Sequence, residues 1–160
     1  TYDLIQWRPI QSYWRAENIN NVTRYGFSGY LAQNNRYFNT KISFGITESY
    51  YGKDKKRLRY TPQNIGSIFF EKSIKNFTLT SDTHYISEMI SAYSYPKNNI
   101  IPKSSITSIH LKQKIKYNRF DLIFVASANN VFDKRYESSK GYPEPRKNFT
   151  TKITINQKRK

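Results

Sequence analysis

The chain has 160 residues, a formal charge of +16 and no cysteine, which excludes a disulfide framework and a thiolate metal centre. Mean hydropathy is −0.80 and hydrophobic residues make up only 37%, too few for an ordinary soluble core. Yet 14 Tyr and 10 Phe are present, and disordered chains are poor in aromatics. No apolar run approaches the roughly 18 residues of a transmembrane helix, whereas a membrane β-strand needs only about 9–11 residues of alternating polarity. The excess of cations suggests a polyanionic partner: nucleic acid, anionic lipid or lipopolysaccharide.

Period two recurs along the chain, and no window shows a convincing helical period. A first strand is expected over 1–8. A second, 22–32, carries the row Tyr25, Phe27 and Leu31. In 37–49, Phe38, Ile42, Phe44 and Ile46 alternate with Asn39, Lys41, Ser43 and Thr47. A fourth strand is expected over 64–72. In 77–90, Phe77, Leu79, Thr83 and Tyr85 alternate with Thr78, Thr80, Asp82 and His84. In 105–117, Ile109, Leu111, Ile115 and Tyr117 oppose Ser108, His110, Lys112, Lys114 and Lys116. A nearly uncharged strand, 119–132, follows. The last, 148–157, sets Phe149, Thr151, Ile153 and Ile155 against Asn148, Thr150, Lys152, Thr154 and Asn156.

Connections alternate in length. Those at Gln33–Arg36, Ser73–Asn76 and Asn118–Arg119 are tight. Those at Pro9–Asn21, Tyr50–Asn64, Ile90–Ser104 and Asn130–Asn148 are long and hold all six prolines. Aromatics cluster near strand ends. Short turn, long loop, short turn is the pattern of an all-β, antiparallel, up-and-down transmembrane β-barrel of about eight strands. Its short turns face the periplasm and its long loops the outside.

Candidate chemistry is sparse. Lys112, Lys114 and Lys116, with His110, form a basic stripe. It reads either as a lumen lining for anionic substrate or, more plainly, as a solvated strand face. The Lys53–Arg59 run, with Arg57 and Arg59, reads either as a contact for lipopolysaccharide phosphate or substrate, or as a solvated loop. His84 and His110 lack the paired carboxylates or thiolates of a metal site, so lumen hydrogen bonding is the simpler expectation. Glu48, Glu137 and Glu144 form no acid/base pair at a recognisable spacing, and there is no nucleophile elbow or glycine-rich phosphate loop. No enzymatic activity and no cofactor are expected.

One stretch is more specific. Asn130, Val131, Phe132, Asp133, Lys134, Arg135 and Tyr136 resemble the N-L-F-D-x-x-Y near the C-terminus of TonB-dependent outer-membrane receptors. Gly141, Tyr142, Pro143, Glu144, Pro145 and Arg146 resemble the G-Y-P-x-P-G-R that follows it, without the glycine before the Arg. Upstream, Leu58–Gln63 resembles that family's L-x-Y-x-P. Asp3–Trp7, Glu17–Ile19 and Tyr25–Ser28 resemble its I-x-W … N … G-V-E, with Ser28 in place of Glu.

The resemblance implies that residues 1–160 are the C-terminal part of a larger receptor barrel in the bacterial outer membrane, with no plug domain in this stretch. It implies active transport of a scarce nutrient such as a ferric siderophore or cobalamin. The implied partners are outer-membrane lipid and lipopolysaccharide, the nutrient, and the TonB complex acting through a plug; nucleic acid is not among them. Two alternatives stay open: a soluble, basic, aromatic-rich β-protein that stacks nucleic-acid bases, and a self-contained eight-stranded outer-membrane barrel.

Overall fold

The computed structural model describes residues 2–10, 13–94 and 96–157. Its elements are β1 (Tyr2–Ile10), β2 (Tyr13–Asn34), β3 (Asn39–Tyr51), β4 (Lys56–Arg57), β5 (Asn64–Ile74), β6 (Phe77–Ile86), β7 (Met89–Ala92), β8 (Asn99–Ile101), β9 (Ser104–Tyr117), β10 (Phe120–Asn129), β11 (Glu137–Ser139), β12 (Tyr142–Pro143) and β13 (Asn148–Gln157). The main sheet runs β1-β2-β3-β5-β6-β9-β10-β13, every neighbour antiparallel, with β4 joined to β3. It is an up-and-down meander: each long strand pairs with the long strands before and after it. Two hairpins, β7–β8 and β11–β12, lie in the long connections.

The turns follow from their residues. Lys75 and Asn118 take positive φ, as two-residue hairpins joining right-twisted strands require. The four-residue turn between β2 and β3 is held by Asn35, whose Oδ1 accepts from the backbone N–H of Tyr37 at 2.8 Å and of Phe38 at 3.0 Å. These three connections define one end of the sheet, the turn end. The long connections define the other, the loop end.

Register places the apolar rows side by side. Leu31 faces Ile42, which faces Ile68. Leu79 faces Leu111, Phe124 faces Ile153, and Leu122 faces Ile155. These side chains do not enter a dry interior: Leu31 is 74% exposed, Phe149 73%, and Ile153 and Ile155 64%. From β2 to β13 the apolar face is roughly 29 Å wide and 27 Å along the strands, about 800 Å², at ordinary sheet spacings. Soluble monomers rarely leave more than a few hundred Å² of contiguous apolar surface bare. The total accessible surface is 12450 Å². A compact monomer of 19.0 kDa would show roughly 8,400 Å² by the area–mass scaling.

Aromatics border this face. Phe38 and Phe70 stack near the turn end, ring centroids 5.9 Å apart, and Phe77, Tyr117 and Phe120 stand exposed at the turn ends of their own strands. Tyr25 and Tyr50 pair toward the loop end at 6.3 Å. Between them, the Phe44 ring lies over Gly29 on the facing strand, where an added Cβ would sit 3.1 Å from it. Thr83 and Thr107 are among the polar residues on this side, and their hydroxyls bond each other at 2.9 Å.

One expectation changes. The stretch 9–21 is not a long loop. Backbone pairing continues from Leu4↔Ile19 to Ile10↔Tyr13, so β2 is 22 residues long and its first half rises as a hairpin with β1. Pro9 stands at the last-but-one position of β1, where the strand is about to turn into β2. Asn21, with φ 57, takes up the register shift between this extension and the rest of the strand. The eight long strands do not close on themselves, in keeping with a segment of a larger barrel rather than the self-contained alternative: among the described residues β1 pairs only with β2, and β13 only with β10. Thr1, the start of the expected first strand, lies outside the described residues, as do the side chains of Trp7, Glu17 and Ile19 in the N-terminal motifs.

Candidate functional site

The face opposite the apolar rows is polar, and its side chains link strand to strand. Ser43 and Ser67 hydroxyls bond at 2.7 Å, Asn39 donates to Glu71 at 3.1 Å, and Asn129 donates to Asn148 at 2.9 Å. At mid-height, Asp82 on β6 draws both histidines together. His110 Nε2 lies 2.9 Å from Asp82 Oδ1, and its Nδ1 lies 2.8 Å from Ser127 Oγ on β10. His84 Nε2 lies 3.4 Å from Asp82 Oδ2. One imidazole thus bridges three strands. Asp82 and Ser127 were not singled out by sequence reasoning. Asp82 shares a face with His84 two residues on, but its place beside His110 depends on the β6–β9 register, which a 17-residue connection leaves unspecified.

Nearer the turn end, Lys112, Lys114 and Lys116 point to the same side. Lys114 Nζ pairs with Asp121 at 2.9 Å, across the β9–β10 hairpin.

At the loop end, Asn130 ends β10. Its φ is 49, it is 2% exposed, and both ends of its side-chain amide are hydrogen-bonded. Nδ2 donates to Lys134 O at 2.8 Å and to Pro145 O at 3.3 Å, while Oδ1 accepts from Lys134 N–H at 2.9 Å. Asn tolerates the left-handed region and carries both donor and acceptor, so it can terminate the ladder and bind both sides of the loop. Asp133, also at positive φ, accepts from Arg146 Nε at 2.7 Å, from a second Arg146 nitrogen, and from Lys147 N–H at 3.0 Å. These donors hold the Asp133 carboxyl down at about 2, the Arg146 side chain contributing most, and the Asp133 carboxylate in turn holds Arg146 above its usual value. Gly141, at φ 84, forms the tip between β11 and β12, its N–H donating to Glu137 Oε2 at 3.1 Å. Glu144 N–H bonds Tyr136 O at 3.0 Å, and burial pushes the Tyr136 phenol up. Phe132 and Tyr142 remain exposed. The motif residues therefore build and lock the loop. Beside them, Tyr136, Pro143, Pro145 and the cations Lys103, Arg135 and Lys140 line a cleft of about 660 Å³.

The other long connections are tied to the same end. Tyr93 Oη donates to Arg57 O at 2.7 Å, and Ser87 Oγ accepts from the N–H groups of Gln63 and Asn64 at 3.1 and 3.0 Å. Of the two arginines proposed to touch substrate there, Arg59 is only 8% exposed, packed within the loops rather than presented to solvent. Arg57 is half-buried.

The arrangement as a whole is a section of barrel wall: an antiparallel meander, oily on one side and hydrogen-bonded on the other, with its loops gathered at one end. No family model matches the chain, and no curated protein does. Solved structures do. A chain in the structure of the FpvAI–pyocin S2 complex matches 96% of this chain with a TM-score of 0.68 and 12% sequence identity. That neighbour is a TonB-dependent receptor, and the match covers 24% of it, so this chain spans about a quarter of its length. At such identity the likeness establishes the fold alone: an antiparallel segment of a larger β-barrel.

Proposed function

We propose that the chain is the C-terminal part of the wall and outer loops of a TonB-dependent outer-membrane receptor that imports a scarce nutrient such as a ferric siderophore or cobalamin. The observation that carries this reading is the bare apolar face bordered by aromatics, backed by a polar, hydrogen-bonded face. Such a sheet is stable where hydrocarbon covers one side and an aqueous lumen the other. The open margins at β1 and β13 support a larger barrel, because unpaired N–H and C=O groups are costly in lipid. The loop motif at 130–146 and the receptor-barrel likeness point the same way. In this reading the strands hold the loops, the loops capture nutrient, and energy arrives from the TonB complex through a plug elsewhere in the barrel.

Cell fractionation of the native protein tests it. The expected result is recovery in the detergent-soluble outer-membrane fraction, with a mobility on unheated gels that changes on boiling. Folded protein in aqueous buffer, binding single-stranded nucleic acid with a steep salt dependence, would replace this reading with the soluble one. Growth of a deletion strain on single iron or cobalamin sources would then identify the nutrient.

A further inference from the structure

The cleft beside the last long loop has a chemistry that the wall does not explain. We propose that it is a binding site for an oxyanion, phosphate or carboxylate, carried on a body with an apolar face. Four cations line it, Lys103, Arg135, Lys140 and Arg146, against two carboxylates. Both carboxylates are engaged within the loop: Glu137 accepts from Gly141 N–H, and Glu144 from the Ser138 hydroxyl. Arg146 is engaged by Asp133. Lys103, Arg135 and Lys140 are exposed and carry no ion pair among the described residues. Three cations without an ion pair therefore share one opening, and the four cations of its lining outnumber the two carboxylates.

The opening itself is shaped. The Tyr136 side chain, Pro143 and Pro145 supply a stiff, mostly apolar wall. The loop does not need a ligand to hold it, because Asn130 and the Asp133–Arg146 pair already fix its two limbs. A site built before the ligand arrives loses little ordering entropy on binding. A volume of about 660 Å³ lies within the range of small-molecule sites. An Arg and two Lys around a wall of this kind suit an oxyanion that also has a ring or chain to lay against Tyr136. The ligand could be a free solute or the phosphorylated headgroup of a glycolipid in the same membrane. Both offer this chemistry.

The test uses the full-length protein in detergent, with phenyl phosphate and inorganic phosphate as probes, followed by calorimetry. Saturable binding is expected, tighter for phenyl phosphate. The triple variant Lys103→Gln/Arg135→Gln/Lys140→Gln should weaken it at least tenfold. The control Lys72→Gln/Lys75→Gln, at the turn end, should leave it unchanged. A second arm measures capture by nanodiscs with or without bis-phosphorylated lipid A. Capture lost in the triple variant assigns the site to membrane glycolipid; binding of phenyl phosphate alone assigns it to a solute. If neither probe binds saturably, or the triple variant matches the native protein in both arms, the inference is overturned. Outer-membrane recovery of the triple variant separates that failure from failure of the receptor reading.

Discussion

At the last strand, Phe149, Ile153 and Ile155 stand mostly exposed, while at the loop end Ile101 is 1% exposed, Val22 7% and Leu58 8%. These three are the buried hydrophobics among the described residues, and none lies at the middle of the sheet. The wall is held by its ladders and by what covers it. The loop end is held by specific short-range chemistry: a buried amide with three hydrogen bonds, a clasped arginine, a serine capping two backbone N–H groups. The same chain therefore carries two kinds of stability, one supplied by the surroundings and one by particular atoms. Substitutions should separate them.

The largest effects should come from charge on the apolar face. Ile153→Arg or Ile109→Arg should each cost about 2–4 kcal/mol near mid-bilayer. Denaturant unfolding in lipid vesicles would measure this, and a similar loss from Thr154→Arg would contradict the assigned faces. Asn130→Ala comes next. It removes three hydrogen bonds from a buried amide and leaves a less suitable residue at positive φ, a loss of about 2–4 kcal/mol confined to the loop. Limited proteolysis should show the 131–147 segment cut while the strands stay protected; Asn130→Gly, which relieves only the backbone, should recover little.

The Asp133 clasp should act through pH. Its folded value, about 2, lies below the ordinary 3.8, so its contribution is present above about 4 and fades as pH falls toward 2. Protease sensitivity of the loop should rise over that window in the native protein, and Asp133→Asn should be sensitive at every pH. The smallest effect is expected on the polar face, where Lys112→Glu should change stability by about 0.5 kcal/mol or less. A large loss there would mean that this face is packed rather than wet.

The wall was legible because period two survives wherever one side is oily and the other polar: the rows at Ile42, Leu111 and Ile153 appear in the sequence before any pairing is known. The β1–β2 extension was not, since a proline and scattered charges at Pro9, Arg15 and Glu17 look like loop when no face needs to be apolar. The end of β6 was misplaced by four residues, at Ile86 rather than Ile90, because Ser87 stops the ladder through a long-range contact to Gln63 and Asn64. At the candidate sites, the turn-forming capacity of Asn130 could be read from its residue type. The union of Asp82 with two histidines, and of Lys103 with Arg135, could not, since both depend on how long connections return.

The Asn130–Asp133–Arg146 latch also bears on kinetics. Joining β10 to β13 means closing an 18-residue excursion, and closure entropy grows with the length left free. With the excursion already pinned near both its ends, the final strand is delivered beside its partner at Asn129↔Asn148, and zippering can run from there toward Phe120↔Gln157. We therefore expect the last hairpin to nucleate at its outward tip. Pulse-labelled amide exchange should find Asn129 and Asn148 protected before Leu122 and Ile155, and Asn130→Ala should erase that order.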